Sequence, residues 1–219
     1  MEGKQTAEIT WRDGVPVSKQ FDDPYYSLDN GLAETRYVFL DGNDLPARFH
    51  PGFQIAELGF GTGLSFLTAL QAWRDAGIDG RLYFTSFEAF PMRSADIRAA
   101  LAPFLDLPAG VLLDHWPAAR IETDDVVLDI IVGDARDTLP NWTGQADAWF
   151  LDGFAPASNP ELWEPQLMTA VAAHTRPGGS FATYTAAGAV RRALDAAGFD
   201  VTRKPGFGRK RHMTIGRRR

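Results

Sequence analysis

From residue 53 onward, runs of strand length alternate with runs of helix length. That alternation predicts an α/β fold: a mostly parallel sheet with helices on both faces. Two further observations sharpen the expectation. The first strand leads into three glycines at alternate positions and then directly into a helical run. The last two strands are joined by a short link containing Gly and Pro, Pro205 to Gly208, which reads as an antiparallel pair at a sheet edge.

In chain order, the expected strands are Phe53–Leu58, Arg81–Glu88, Val126–Val132, Ala146–Leu151, Gly179–Tyr184, Phe199–Arg203 and His212–Ile215. Apolar, β-branched and aromatic residues dominate them, as they do in strands buried on both faces. The expected helices are Leu64–Ala76, Met92–Phe104, Pro160–Thr175 and Ala187–Ala197. Pro177-Gly178-Gly179 is expected to stop a helix and turn into a strand, and Gly198 sits where a helix C-terminus favours glycine. The stretch 105–125 gives no clear pattern. Residues 51–219 read as one structural unit, and residues 1–50 as a β-rich N-terminal extension covering the ligand mouth.

At 219 residues, the chain is long enough to bury a substantial core as a single domain. Its 45% hydrophobic and 23% charged residues are ordinary for a soluble globular protein. No apolar run approaches the ~20 residues of a membrane span, and Met1 to Lys19 lacks an apolar signal core. Cysteine is absent, and His50, His115, His174 and His212 show no ligand spacing, so no metal site is expected. A cytoplasmic protein is the default, and a monomer the simplest state. The net charge is −6, yet Asp200–Arg219 holds eight basic residues and one acid. A basic cluster on an acidic body suits a phosphate-contacting edge, with a merely solubilising tail as the alternative.

The glycine loop is the most informative stretch: Glu57-Leu58-Gly59-Phe60-Gly61-Thr62-Gly63. Glycines let the backbone turn sharply and approach a ligand where a Cβ would collide. A dinucleotide fingerprint, GxGxxG, would put its third glycine where this chain has Leu64. The spacing here is (E/D)xGxGxG, the form typical of S-adenosylmethionine enzymes. NAD, or a glycine turn with no ligand, is the competing reading. Glu57 would organise the loop and meet the cationic amino-acid end of the cofactor. Seven strands with a terminal antiparallel pair also match a Rossmann-like class I methyltransferase better than a dehydrogenase.

In such folds ligands bind at the carboxyl ends of the strands. Glu88 ends the second strand and offers two acceptor oxygens to a ribose, unless it is only a solvated acid. Asp134, followed by Ala135, ends the third, where it suits the adenine amine, a helix N-cap, or both. Asp152 ends the fourth, in Leu151-Asp152-Gly153-Phe154-Ala155-Pro156, and is similar to the (D/N)PP(Y/F) loop of amine-directed methyltransferases. There an acceptor orients the target nitrogen and an aromatic packs on the substrate ring. A loop-capping Asp152 is the competing explanation.

Three runs carry a more specific resemblance. They are Phe21-Asp22-Asp23-Pro24-Tyr25-Tyr26-Ser27 with Asn30 to Leu40; Leu151 to Pro156 with Asn159-Pro160 and Trp163; and Gly206-Phe207-Gly208-Arg209-Lys210-Arg211. Together they resemble the bacterial tRNA wobble-uridine methyltransferases, the methyltransferase domain of MnmC and the stand-alone MnmD type. The similarity spans roughly residues 10 to 216. It implies N-methylation of the aminomethyl group of 5-aminomethyl-(2-thio)uridine at tRNA position 34. By the same resemblance Gly59, Gly61, Gly63, Glu88, Asp134, Ala135, Tyr25, Ser27 and Glu34 hold or cover the cofactor. Asp152 and Phe154 face the modified base, and Arg209, Lys210 and Arg211 lie near the RNA. Where the family has Glu after Arg-Lys-Arg, this chain has His212. The family's FAD-dependent oxidoreductase half is not in this chain, so a separate oxidoreductase is an expected partner. Two alternatives stay open: a methyltransferase for small amines, and a non-catalytic cofactor-binding partner of a flavin enzyme.

Overall fold

The structure is a computed structural model and describes residues 6–27 and 30–219; residues 1–5 and 28–29 of the expected N-terminal extension lie outside it. The N-terminal part opens with a small antiparallel sheet, β1 (Ile9–Arg12), β2 (Val15–Ser18) and β3 (Asp23–Pro24). The chain then turns helical, through α1 (Gly31–Thr35), a π turn (Arg36–Leu40) and a 3-10 turn (Asp41–Asn43). Strands thus account for only the first part of the segment expected to be β-rich. Val38, Phe39, Leu40, Leu45 and Phe49 are buried in the main core with Phe66 and Phe84, so this part is packed into the body rather than laid on it. Apolar burial favours helix there over the strand that Tyr37-Val38-Phe39 suggests locally.

The body follows as β4 (Gln54–Leu58), α2 (Leu64–Ala76), β5 (Leu82–Glu88), α3 (Ser94–Leu101), α4 (Gly110–Leu113), β6 (Arg120–Glu122) and β7 (Val126–Val132). It continues with α5 (Ala135–Thr138), β8 (Ala146–Leu151), α6 (Pro165–Ala173), β9 (Thr175–Thr183), α7 (Gly188–Ala196), β10 (Phe199–Pro205) and β11 (His212–Arg218). The sheet has eight strands in the order β10-β11-β9-β8-β4-β5-β7-β6. The five from β9 to β7 are parallel. β11 runs antiparallel between β9 and β10, as the terminal pair predicts. The eighth strand, beyond the seven expected, is the short edge strand β6, antiparallel to β7. It and α4 resolve the stretch 105–125. Three residues with one buried side chain leave too weak a period to read from sequence.

Other boundaries shift for identifiable reasons. The expected helix 160–175 divides into a 3-10 turn (Pro160–Trp163) and α6, with Pro165 in the first turn of α6. Pro177-Gly178-Gly179 does not make a turn: β9 already begins at Thr175, and its register against β8 jumps between Ala146 and Ala148. An irregularity of this kind absorbs a Pro-Gly-Gly run inside a strand.

Strand alternation divides the core into two layers. From β8, Ala148 and Phe150 pack on the α2 side with Phe66, Leu67 and Phe84. Trp149 and Leu151 pack on the other side with Leu167, Met168, Phe181 and Leu194 from α6, β9 and α7. The chain builds outward from β4 through β5 to β7, then returns to lay β8 on the opposite edge of β4. The switch point therefore falls between the carboxyl ends of β4 and β8, where a crevice is left for ligands. Among the described residues no helix is long and apolar enough to cross a membrane.

Candidate active site

A cleft of about 1560 Å³ opens at that switch point. Tyr25, Ser27, Glu34, Gly59, Gly61, Glu88, Asp134, Ala135, Asp152, Phe154, Arg209 and Lys210 all line it. Three expected residues do not: Glu57, Gly63 and Arg211. Glu57 is fully buried behind the wall, where its Oε2 accepts a 2.6 Å hydrogen bond from Ser86 Oγ. Burial, then the nearby charge of Asp152, pushes its carboxyl well above the ordinary range. A neutral acid shut into the sheet does not meet a cofactor ammonium; it braces β4 against β5. Gly63 opens α2 and faces Leu112 and Phe60, so its small size serves packing. Arg211 is exposed on the hairpin outside the cleft.

The cofactor side is built mostly from backbone. Gly59 N–H donates to Phe87 O, tying the loop to the end of β5. Gly59 has φ +91°, and a Cβ there would lie 2.9 Å from the Asp152 carbonyl oxygen. Only glycine lets the ends of β4 and β8 approach so closely. Gly61 has φ +54°, and a Cβ there would meet the Tyr25 ring at 3.0 Å. Glu88 accepts from Gly61 N–H through Oε2 at 2.9 Å and from Phe90 N–H through Oε1 at 2.7 Å. Its carboxylate fixes the loop and still presents lone pairs to the cleft; burial raises its pKa against the lowering effect of these bonds. Asp134 is the N-cap of α5: Oδ1 accepts from Arg136 N–H at 2.9 Å, and Arg136 pairs with the same carboxylate at 2.7 Å. The capping alternative is thus realised, and the Arg136 hydrogen bonds hold the acid below its usual range.

These features fit S-adenosylmethionine. Glycines clear a concave floor, a buried carboxylate, Glu88, ends β5, and a further acid and Ala135 follow β7.

The opposite side is built from side chains drawn from distant segments. Asp152 is half-buried, and Ser65 Oγ from α2 donates to its Oδ2 at 2.9 Å. Burial pushes the Asp152 carboxyl up to about 7, against the lowering effects of the Ser65 bond and Lys210. Two residues on, Phe154 stacks on Phe21 at 4.9 Å between ring centroids and meets Tyr25 edge-on at 5.0 Å. Asp23 Oδ2 accepts from Ala155 N–H at 2.8 Å, tying the N-terminal motif to this loop. Tyr184 OH donates to Gly153 O at 2.8 Å from beyond β9. Lys210 turns inward, pairing with Glu34 at 2.8 Å and lying 4.4 Å above the Tyr184 ring centroid.

Ser65 and Tyr184 were not singled out from the sequence, and Phe21 and Asp23 entered only within the N-terminal motif, with no role of their own. The strand-end rule that selects Asp152 also points to Tyr184, one residue beyond β9. For Phe21 there is no local signal, because its partner is more than a hundred residues away.

The fold and the cleft together define a class I, Rossmann-like S-adenosylmethionine-dependent methyltransferase. A family model described as "S-adenosyl-L-methionine-dependent methyltransferase" matches residues 107–219, and the chain belongs to that family. Among curated proteins, the chain is 48% identical over 93% of its length to the "tRNA 5-methylaminomethyl-2-thiouridine biosynthesis bifunctional protein MnmC" of Caulobacter vibrioides, covering 36% of that protein. It is 47% identical over 96% of its length to the protein of the same name from Caulobacter sp. strain K31, covering 38%. The chain thus spans little more than a third of the length of these relatives. Among solved structures, MNMC2 from Aquifex aeolicus aligns over 98% of this chain and 71% of that one, with a TM-score of 0.75 and 25% identity. TrmN from Thermus thermophilus shares the fold at a TM-score of 0.54, with 16% identity over 96% of this chain and 55% of that one. The resemblance to the MnmC methyltransferase domain read from the motifs is borne out by these relatives, and S-adenosylmethionine prevails over NAD.

Proposed function

We propose that this chain transfers a methyl group to the aminomethyl nitrogen of 5-aminomethyl-(2-thio)uridine at the wobble position of tRNA. One observation carries the reading: a half-buried carboxylate acceptor, Asp152, and an aromatic cluster, Phe154 with Phe21 and Tyr25, line the switch-point crevice beside the glycine loop. Their relatives at 48% and 47% identity are proteins named for 5-methylaminomethyl-2-thiouridine biosynthesis in tRNA.

Gly59, Gly61, Glu88, Asp134 and Ala135 would hold S-adenosylmethionine, with Tyr25, Ser27 and Glu34 closing over it. When bound, the cofactor supplies an electrophilic methyl group on a sulfonium. The attacking nitrogen must offer a free lone pair, so an ammonium substrate has to lose a proton first. Ionised Asp152 accepts that proton and orients the nitrogen. Phe154, backed by Phe21, offers an aromatic face on which the pyrimidine ring of an extruded base would stack.

The charge distribution supports an RNA partner. Arg217 and Arg219 are paired with Asp44, Asp195 and Asp200, and Arg218 bonds backbone carbonyls around Gly198. That end of the basic run is used inside the fold. Arg191 and Arg192 on α7, and Arg203, Lys204 and Arg211 on the terminal hairpin, pair with no carboxylate among the described residues. Desolvation, then the charges of Arg203, Arg211 and Arg191, push the His212 imidazole down, so these three cations lie around it. With Arg209 at the cleft rim, they form a track for phosphates leading to the crevice. The chain would act in the cytoplasm as a monomer, on an aminomethyl substrate supplied by an FAD-dependent oxidoreductase. The small-amine and non-catalytic alternatives leave this track and the aromatic cluster without a role.

The test is methyl transfer from labelled S-adenosylmethionine to tRNA lacking the final wobble methylation, followed by nucleoside analysis. Label in 5-methylaminomethyl-(2-thio)uridine is the expected result. Label in no nucleoside, with cofactor still bound, would refute the substrate.

A further inference from the structure

Lys210 belongs by sequence to a basic run, Arg209-Lys210-Arg211, yet its ammonium, on a side chain still partly exposed, is engaged by groups of the cleft. It is 2.8 Å from Glu34 on α1 and lies over the Tyr184 ring at 4.4 Å. Tyr184 in turn donates to Gly153 O, in the loop that carries Asp152 and Phe154. All of these residues line the same cleft. From these contacts the geometry points to Lys210 as a positioning residue of the reaction centre rather than an RNA contact: held by Glu34 and Tyr184, it fixes one positive charge beside Asp152. This deepens the methyltransferase reading and rests on Asp152 as its proton acceptor.

The charges around Asp152 make the role specific. Ser65 from α2 donates to it; Glu34 from α1 adds negative charge; Glu57 from β4, enclosed in the sheet, is held protonated by burial; Lys210 from the hairpin adds positive charge; Tyr184, beyond β9, lies on the same side. Asp23, on β3, is also within reach of the Lys210 charge. Three carboxylates thus share one fixed cation. Without it, the half-buried Asp152 would keep its proton to higher pH and could not accept another from the substrate. A lysine suits the place because a compact ammonium can pair with one carboxylate while seated on a ring face.

The sign of two substitutions separates this role from simple damage. Lys210→Met removes the positive charge, so Asp152 should titrate at higher pH. Glu34→Gln removes a negative charge and leaves Lys210, so Asp152 should titrate at lower pH. The primary experiment follows the Asp152 carboxyl by carbon NMR across a pH titration of the full chain, assigned with Asp152→Asn, in wild type, Lys210→Met, Lys210→Arg and Glu34→Gln. It needs no RNA, so its outcome is independent of the substrate assignment. Expected are an upward shift of about one pH unit in Lys210→Met, a downward shift in Glu34→Gln, and near wild-type behaviour in Lys210→Arg. In single-turnover methylation of tRNA, Lys210→Met should then lose about tenfold in rate at pH 6 and less than about twofold at pH 9. An unchanged Asp152 titration in Lys210→Met would overturn the proposal. So would a weaker tRNA affinity with a salt slope reduced by about one, since that marks a phosphate contact.

Discussion

The two sides of the cleft are made in different ways. On the cofactor side, β4, β5 and β7 end within a few residues of the groups that matter, and most contacts are made by backbone: Gly59 to Phe87, Gly61 to Glu88, Gly133 to Glu88. On the substrate side, Phe21, Asp23, Glu34, Ser65, Asp152, Phe154, Tyr184 and Lys210 come from widely separated segments and meet through side chains. A rigid backbone cradle suits a ligand that never changes. A side-chain assembly spread over α1, α2, the β8 loop and the terminal hairpin can be altered one residue at a time, which is where specificity resides.

If that division is real, substitutions on the two sides should separate binding of cofactor from handling of substrate. The largest effect is expected for Gly61→Val. Its side chain would start 3.0 Å from the Tyr25 ring at a backbone φ of +54°, so the loop must move. Calorimetry should show S-adenosylmethionine affinity falling by roughly 100-fold or more, because backbone and ring contacts are lost together. Unchanged affinity would mean the loop is not the cofactor floor.

Phe154→Ala comes next. It removes one ring of the Phe21 stack and the edge contact with Tyr25, a pairing worth about 0.5–1.5 kcal/mol beyond buried area. The KM for tRNA should rise about tenfold while cofactor affinity stays within about twofold, given a base-stacking contribution of ~1–3 kcal/mol. A fall in cofactor affinity as large as the rise in KM would erase the distinction between the two sides.

The smallest effects belong to the outer cations. Arg203→Gln and Arg211→Gln should each weaken tRNA binding by a few fold at moderate salt and lower the salt slope by about one. Arg217→Gln, already paired with Asp44, should leave the slope unchanged. Equal slopes for all three variants would show that the hairpin face is no track for RNA.

The same division explains what was legible in the sequence. The cofactor side was readable because each group follows a strand with its own local signal: three glycines after β4, Glu88 ending β5, Asp134 just after β7. Gly63, which serves packing, and Glu57 are exceptions. For Glu57 the reason is the strand itself. Its place in the motif suggested contact with the ligand, but a strand residue alternates faces, and this one is enclosed with Ser86. The antiparallel terminal pair was legible from its short link. The edge strand β6 and the 3-10 turn ahead of α6 were not, since three or four residues hold less than one useful period. On the substrate side Asp152 and Phe154 were found by the strand-end rule and by resemblance. The resemblance puts Lys210 with Arg209 and Arg211 near the RNA; nothing local indicates that it pairs with Glu34 across the cleft. Contacts between distant segments are set by the tertiary fold, and residue spacing carries no trace of them.

The claim on which the rest depends is that Asp152 accepts a proton during transfer. It is tested by single-turnover methylation of tRNA against pH, at saturating S-adenosylmethionine, in wild type and Asp152→Asn. Because the acceptor must be ionised and burial holds its pKa near about 7, the wild-type rate should climb as pH rises through that value. Asp152→Asn should be slower by about 100-fold at neutral pH, bind cofactor normally, and lack that limb. A limb of the same midpoint and height in both proteins would contradict the assignment and leave Asp152 as a residue of the loop alone.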